Sequence, residues 1–440
     1  MDVRSGSVCI VGAGVSGRAL ALWAKKLGAD VFVTEKRPEL QAETRELFER
    51  YSVRWETGGH SAKCCDCGLM VVSSGVPFNS EAVTMVRAFG IPVAGELDFL
   101  APWLRGKIIA VTGTNGKTTC TSLAGHILEN NGLHVAVAGN IGSPLAGCAG
   151  KKYDALVLEL SSFQLHWNSL LKPQVAILTN LAPDHLDWHG SYENYKADKC
   201  RIFAQPDGKS WAVVHPCDVF RVPQGREVWS LGGQTGRRIG LEGETVELVG
   251  GSERRPLFCK SALKLLGSHN LENAAMASAA VALLFPELDP GAGISTFQAP
   301  RHRCEFICRR RGVAYVDDSK GTNVAAAVTA LRSIAGPKIA ILGGQGKGED
   351  YELLAEVVCE QARAAIVLGS EADRILSTLD RVGYAKAWKA GGMAEAVQKA
   401  SELAQPGDIV LLSPACTSWD MYKNYGERGD HFAALVRSLP

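Results

Sequence analysis

Short apolar runs alternate with helix-length segments along nearly all of this chain, a pattern that restricts it to parallel sheets with helical crossovers. Two of the strand-to-helix junctions are rich in glycine. Residues 8–11 run into Gly12-Ala13-Gly14-Val15-Ser16-Gly17, a G-x-G-x-x-G turn, and residues 108–111 run into Thr112-Gly113-Thr114-Asn115-Gly116-Lys117-Thr118-Thr119. A strand, a glycine turn and a helix N-terminus make an anion site, because backbone N–H groups and the helix dipole converge there. The second loop ends in Gly-Lys-Thr like a phosphate-binding loop. It has only two residues between Gly113 and Gly116, fewer than the usual pattern.

At 440 residues the chain exceeds a single core, and about two to four domains are expected. In the first block, strands are predicted at 8–11, 30–35 and 70–74, with a helix over 16–27. This β-α-β unit carries the glycine fingerprint in its proper place. Residues 91–107 hold two prolines and two glycines and read as a crossing between domains. The second block has strands at 108–111, 134–138, 155–160, 175–180 and 211–215, a helix over 117–130 stopped by Gly132, and an alanine-rich helix over 271–284. Residues 221–256 read as short antiparallel strands. The third block places strands at 313–317, 338–342, 364–368 and 408–412. The fold class expected is α/β with three domains: an N-terminal Rossmann-like parallel sheet over 1–95, a central P-loop ATPase-type α/β domain over 96–299, and a C-terminal doubly wound Rossmann-like domain over 300–440.

Lys and Arg number 47 against 46 Asp and Glu, so no general attraction to nucleic acid or an anionic membrane is expected. An acidic ligand must then be held by cations placed locally. No window approaches the roughly 20 apolar residues of a membrane span, and the first residues lack the pattern of a signal peptide. Thirteen scattered cysteines do not form a disulfide framework. Cys64-Cys65-Asp66-Cys67 and Cys304…Cys308 lie too far apart to read as paired zinc ligands. A cytoplasmic enzyme is expected.

The loop at Gly113 has candidate companions. Lys117 adds a mobile charge for a phosphate, and Thr118 can offer its hydroxyl to Mg2+. Glu159 ends a buried strand, where an unpaired carboxylate is costly unless a cation is near. Asp184-His185-Leu186-Asp187-Trp188-His189 follows the strand at 175–180, and ligands bind at the carboxyl ends of such strands. Alone, that cluster reads more readily as a solvated loop with a helix cap; the glycine loop and Glu159 at the same sheet edge reverse that.

VTGTNGKTT (111–119), LELSSFQL (158–165), NLAPDHLDWH (180–189) and YKADKCRIF (195–203) together resemble the ATP-dependent Mur ligases of peptidoglycan synthesis, whose form of the loop is the shortened one. LELSSFQL, the first glycine loop and SPACTSWDMYKNYGERG (413–429) are most similar to the branch that adds D-glutamate to UDP-N-acetylmuramoyl-L-alanine. The resemblance runs from Val8 to Gly429.

The resemblance implies that Gly113, Thr114, Asn115, Gly116, Lys117, Thr118 and Thr119 cradle the ATP phosphates. It implies two Mg2+ ions, one on Thr118 and Glu159 and a second on His185 and Lys199, with Lys199 carried as a carbamate. A deprotonated lysine amine that adds CO2 becomes an anionic oxygen donor suited to Mg2+, although the residues alone would make Lys199 an exposed helix lysine. Lys117, Glu159, His185 and Lys199 are the catalytic set it implies. Asn273, Arg303 and Asp318 match positions around the nucleotide. Ser16, Glu35, Lys36, Arg37, Ser74, Asn140, Ser161 and Gln164 match positions along the UDP substrate, although Glu35-Lys36-Arg37 departs from the best-known Asp-Thr-Arg. Thr322, Lys347, Ser418 and Tyr425 match contacts to D-glutamate. A monomer is expected.

The implied reaction activates the L-alanine carboxylate as an acyl phosphate, which the D-glutamate amine then attacks. Three other readings stand beside it. A nicotinamide-dependent reductase would place NAD on the first loop, with Glu35 on a ribose hydroxyl. An ATP-driven switch would use the Gly113 loop alone. A Mur ligase adding a different amino acid is the third, but the Asp-Asn-Pro-Arg signature of the diamino-acid enzyme is absent from the chain.

Overall fold

The computed structural model describes residues 6–233 and 236–439. They fall into two compact units, one comprising the chain up to Leu181, His185–Cys259 and Ala275–Gly293, the other Ala182–Asp184, Lys260–Ala274 and the chain from Ile294 onward. Among the described residues there are three sheets, of five, nine and six strands.

The first unit holds two of them. The N-terminal sheet comprises β1 (Ser7–Val11), β2 (Asp30–Glu35), β3 (Arg54–Thr57), β4 (Leu69–Val72) and β5 (Val93–Gly95), in the order β3-β2-β1-β4-β5 and parallel throughout. Its helices are α1 (Val15–Lys26), α2 (Ala42–Arg50), α3 (Glu81–Ala88) and α4 (Glu96–Leu100). Gly14 is the N-cap of α1, and Gly17 packs so closely that an added Cβ would meet Gly12 O at 1.9 Å. The third glycine of the fingerprint therefore permits the helix to lie on the strand.

Residues 91–107, expected as a crossing, are structured: β5 is an edge strand and α4 is buried along its whole length. Pro92 stands just before β5, where an edge strand tolerates it.

The central sheet contains β6 (Arg105–Thr112), β7 (Val135–Gly139), β8 (Lys152–Glu159), β9 (Val175–Leu178), β10 (Trp211–Val214), β11 (Glu227–Leu231), β12 (Arg238–Gly240), β13 (Thr245–Gly250) and β14 (Glu253–Cys259). Their order is β14-β13-β12-β11-β10-β9-β6-β8-β7. Over 221–256 the antiparallel expectation holds for β12–β14, whereas β11 pairs parallel with both β10 and β12. Helices α5 (Lys117–Asn130), α6 (Ser162–His166), α7 (Leu186–His189), α8 (Tyr192–Cys200) and α9 (Ser268–Leu284) follow in sequence.

The second unit contains β15 (Glu305–Arg310), β16 (Val313–Asp317), β17 (Lys338–Gly343), β18 (Ala362–Leu368), β19 (Ala387–Lys389) and β20 (Ile409–Leu412), in the order β15-β16-β20-β17-β18-β19. Only the edge strand β15 is antiparallel. Helices α10 (Val324–Ser333), α11 (Glu352–Gln361), α12 (Ala372–Arg381), α13 (Met393–Leu403) and α14 (Tyr425–Ser438) accompany it, with apolar clusters packed against the sheet. One cluster packs α10, α11 and α12, and the other α13 and α14, against alternate residues of the strands, so helices cover both faces as in a doubly wound sheet. No helix among the described residues is long and apolar enough to cross a membrane.

Candidate active site

Four neighbouring strands of the central sheet, β9, β6, β8 and β7, deliver polar groups at their carboxyl ends. From β6 the chain turns through Gly113 at φ 148° and Gly116 at φ 80°, the latter capping α5. A Cβ on Gly113 would lie 1.9 Å from Thr179 Oγ1, so only glycine fits against β9. The loop is pinned by the chain after β9. Thr114 N donates to Asn180 O at 2.9 Å, Asn115 N to Asn180 Oδ1 at 2.9 Å, and Asn180 Nδ2 returns a bond to Asn115 O at 3.0 Å. Its shape is thus fixed by protein contacts, as a pre-formed anion site requires.

Lys117 folds over this loop and donates to Gly113 O at 2.8 Å and Thr114 O at 2.7 Å. Lys199, on α8, is 2% exposed and donates to the same Gly113 O at 2.8 Å. The exposed helix lysine suggested by the residues alone is thus corrected. Tyr195, one helical turn earlier, bonds Thr114 Oγ1 at 3.0 Å, and its ring lies 4.7 Å from Lys199 Nζ. Thr118 and Thr119 are buried at the start of α5.

Glu159 closes β8 with 2% exposure. Its Oε1 accepts from Asn140 Nδ2 at 2.9 Å, while Oε2 is buried without a hydrogen-bond partner. Such an atom costs about 1–3 kcal/mol, more when charged. A hard cation is the ligand that a carboxylate beside a phosphate loop fits, so the residues present suit Mg2+. His185 begins α7 at φ 52°, with its ring 4.8 Å from that of Phe163. A non-glycine residue in the left-handed region is a strained feature that often marks function.

Ser161 and Gln164 form a capping box on α6: Ser161 N donates to Gln164 Oε1 at 2.9 Å, and Gln164 N to Ser161 Oγ at 3.2 Å. Gln164 Nε2 also donates to Glu96 Oε2 at 3.1 Å. Glu96, on α4, was missed by sequence reasoning because its segment read as a linker; burial raises its carboxyl despite that bond.

At the carboxyl ends of β1, β2 and β4, Ser16 Oγ and Ser74 Oγ lie 3.2 Å apart. Glu35 Oε2 accepts from Ala13 N at 2.7 Å and from Arg37 Nη2 at 2.9 Å, and Oε1 accepts from Arg37 N at 3.0 Å. Burial pushes the Glu35 carboxyl up, but the Arg37 and Ala13 donors outweigh it and hold it at about 2. Its oxygens are thus engaged by the loop and Arg37, unlike the ribose acceptor of the nicotinamide reading. Lys36 and Arg37 are exposed.

In the second unit, the ends of β16, β20 and β17 carry the remaining candidates. Asp318 accepts from Ser413 Oγ at 2.7 Å and from Cys304 N at 3.3 Å; burial pushes its carboxyl up to about 7 against those bonds and Arg303. His269 is held at about 4 by burial and by Arg303, and Asn273 is buried, donating to Asn270 Oδ1 at 3.4 Å. Gln345 and Thr417 exchange backbone bonds of 3.0 and 2.8 Å, which fixes the loop bearing Lys347 to the loop bearing the buried Ser418. Lys347 Nζ lies 3.6 Å from Asp184 Oδ1, which is grouped with this unit. Thr322 is half-buried, and the ring of Tyr425 lies 4.7 Å from Lys320 Nζ.

Sequence reasoning also missed Arg428, although the closing motif contains it. This buried guanidinium donates to Ser319 Oγ at 2.9 Å, Ser319 O at 2.7 Å, Cys416 O at 3.1 Å and Thr417 O at 3.1 Å. Burial lowers it to about 10, which leaves it charged. His302, Glu305 and Asp317 also lie close enough to share an ion. Their groups already bond one another, and a Cβ on Gly429 would meet His302 Nδ1 at 2.2 Å, so we assign no metal there.

Residues 111–281 match the Mur ligase middle domain, residues 302–416 the Mur ligase glutamate ligase domain, and residues 7–82 the MurD N-terminal domain. A UDP-N-acetylmuramoylalanine–D-glutamate ligase from Pelotomaculum thermopropionicum is 40% identical over 100% of this chain and 99% of its own length. The protein of the same name from Acidobacterium capsulatum is 38% identical over 99% of this chain and 97% of its own. Among solved structures, UDP-N-acetylmuramate-alanine ligase MurC from Thermotoga maritima aligns with a TM-score of 0.60 at 18% identity, covering 98% of this chain and 99% of its own. MurF ligase from Thermotoga maritima, in complex with ADP, gives 0.58 at 18% identity, covering 99% and 96%. At those identities the two structures speak for the fold alone.

Proposed function

The chain belongs to the Mur ligase family, and from that premise we infer that it joins D-glutamate to UDP-N-acetylmuramoyl-L-alanine, converting ATP to ADP and phosphate. The observation that carries this reading is the identity of up to 40% with ligases of that name over the whole chain. The product is a precursor of peptidoglycan, and the reading places the enzyme in the cytoplasm as a monomer that binds small molecules and no nucleic acid. Residues 1–95 take the UDP substrate, 96–299 take ATP, and 300–440 take the amino acid.

Gly113–Thr119 cradle the phosphates through backbone N–H groups and the dipole of α5, and Lys117 moves from its carbonyls onto the transferred phosphoryl group. Thr118 and Glu159 would hold one Mg2+ ion, with the orphaned Glu159 oxygen as ligand; His185 and Lys199 would hold a second. Mg2+ supplies charge that lets the carboxylate approach a phosphoryl group which would otherwise repel it. Two ammonium groups on the Gly113 carbonyl repel each other. Loss of a proton from Lys199 relieves that repulsion, and the neutral amine then adds CO2, releasing a second proton, to become an anionic oxygen donor, so we assign Lys199 as the carbamate.

Asn140, held against Glu159, and Ser161 and Gln164 on α6 would align the substrate's L-alanine carboxylate. Ser16 and Ser74 would face its diphosphate, with Glu35 shaping the glycine loop and presenting Arg37, beside Lys36, to the uracil. Asn273, Arg303 and Asp318 would contact the nucleotide. Lys347 would pair with a D-glutamate carboxylate, while Thr322, Ser418 and Tyr425 line its place. Its neutral amine attacks the acyl phosphate, and phosphate leaves.

The test supplies UDP-N-acetylmuramoyl-L-alanine, ATP and Mg2+ with a panel of amino acids. D-Glutamate alone should support rapid product formation; preference for L-alanine, a diamino acid or D-alanyl-D-alanine would overturn the assignment within the family.

A further inference from the structure

Three short helices carry much of the central site: α6 with Gln164 and its N-cap Ser161, α7 with its N-cap His185, and α8 with Tyr195 and Lys199. They contain five, four and nine residues, and isolated helices shorter than about 12–15 residues are marginal in water. Something other than helix propensity must hold them in register.

One carboxylate contacts all three. Asp198, on α8 and 6% exposed, accepts from His166 Nδ1 at the end of α6, at 3.0 Å to Oδ1 and 2.9 Å to Oδ2. It also accepts from His189 Nδ1 at the end of α7, at 2.9 Å. His189 Nε2 continues the chain to Ser162 Oγ, on the first residue of α6, at 3.0 Å. Arg201 Nε lies 3.4 Å from Oδ1. Burial raises the Asp198 carboxyl, and the two imidazole donors outweigh it, so the anion is stabilised. Aromatic rings enclose the network: Phe163 lies parallel to His189 at 5.7 Å, Tyr195 meets it edge-on at 5.3 Å, and Phe78 lies 4.7 Å from His166. Ser162, His189 and Asp198 have the connectivity of a hydrolytic triad. Ser162 is only 2% exposed, however, and its hydroxyl is buried in the helix junction, so the arrangement is a clamp.

We propose that Asp198, acting through His189 and His166, is a positioning residue that holds Lys199 against the Gly113 loop and fixes the turn that carries His185. The sequence neighbour of Lys199 thereby fixes where Lys199 points, and His189 fixes the far end of the helix that His185 begins. This inference rests on the reading of His185 and Lys199 as holders of Mg2+.

The test uses the full chain with Asp198→Asn, which keeps volume but not charge, with His189→Asn, and with the two combined, so that one variant remains readable should another fold poorly. Turnover is measured with whichever amino acid the native chain joins. Binding of a non-hydrolysable ATP analogue is measured across a Mg2+ titration, so the clamp remains readable even if the assigned substrate is wrong. Turnover should fall roughly 10- to 100-fold, as misplacement of about 1 Å would cause. Analogue affinity without Mg2+ should stay native while its enhancement by Mg2+ shrinks, and the double variant should be no worse than the worse single one, because both sites lie in one chain of bonds. Native turnover and a native Mg2+ response in a folded Asp198→Asn protein would overturn the proposal. Equal losses of affinity with and without Mg2+ would also overturn it, since they would mark general destabilisation.

Discussion

Lys117 and Lys199 donate to one acceptor, the carbonyl oxygen of Gly113, each from 2.8 Å. Gly113 is also the residue whose missing side chain lets the loop lie against Thr179. The shortened loop therefore does two things: it points amides at a phosphate, and it turns one carbonyl towards two amines. Lys117 comes from the helix the loop begins and Lys199 from α8, so this carbonyl fastens two elements together.

Replacing Lys199 with alanine removes the buried amine and the proposed oxygen donor. Turnover should fall by roughly 100-fold or more, and added small carboxylic acids should restore part of it by filling the vacated space. Phosphate release measured with and without such acids checks this. Native turnover in the variant would remove the carbamate assignment.

For Glu159→Gln, stability and activity should part company. The change neutralises a buried carboxylate with one unpartnered oxygen, so the thermal midpoint without ligand should not drop. The extra stability that nucleotide with Mg2+ gives the native chain by binding its folded form should be much reduced. Calorimetry with nucleotide, with and without Mg2+, measures both effects.

Arg428→Met would leave Ser319 O and Cys416 O without their buried donor and Thr417 O with Gln345 N alone. A cost on the order of 3 kcal/mol is expected. Because those carbonyls belong to the loops next to Thr322 and Ser418, KM for D-glutamate should rise more than KM for the UDP substrate. Denaturant unfolding and steady-state kinetics provide the two numbers.

Acid should reveal Glu35. Its folded carboxyl titrates at about 2, below the roughly 4.3 of an unfolded glutamate. Its contribution is therefore complete above the unfolded value and is lost as pH falls through about 2. Between about pH 4.5 and 2 the native chain should lose stability more steeply than Glu35→Gln. Parallel unfolding midpoints for the two proteins would contradict the Ala13–Glu35–Arg37 arrangement.

The parts of the fold legible in the sequence were those with strong periodicity. β2, α5 and β16 occupy the spans expected of them, since buried parallel strands read as apolar runs. β3, β5, β15 and β19 were not seen; each lies at or next to a sheet edge, where few apolar residues are needed. The positions of the glycine loop and of Glu159 were legible because each is local to one strand end. The burial of Lys199 was not, since helical spacing gives a face but not the strand-end loop that meets it. The partnership of Asp198, His166 and His189 escaped for the same reason: it joins three separate helices, across 9 and 32 residues of sequence. Arg428 lay within a recognised motif, but its role depends on backbone carbonyls that no sequence displays.

The acyl-phosphate route can be tested by atom transfer. With both oxygens of the L-alanine carboxylate labelled with 18O, attack on the γ-phosphate carries one labelled oxygen into the phosphate that later leaves. One 18O atom is expected in each inorganic phosphate released during ligation, and none in ADP. Unlabelled phosphate, alongside product formed at the normal rate, would contradict that route.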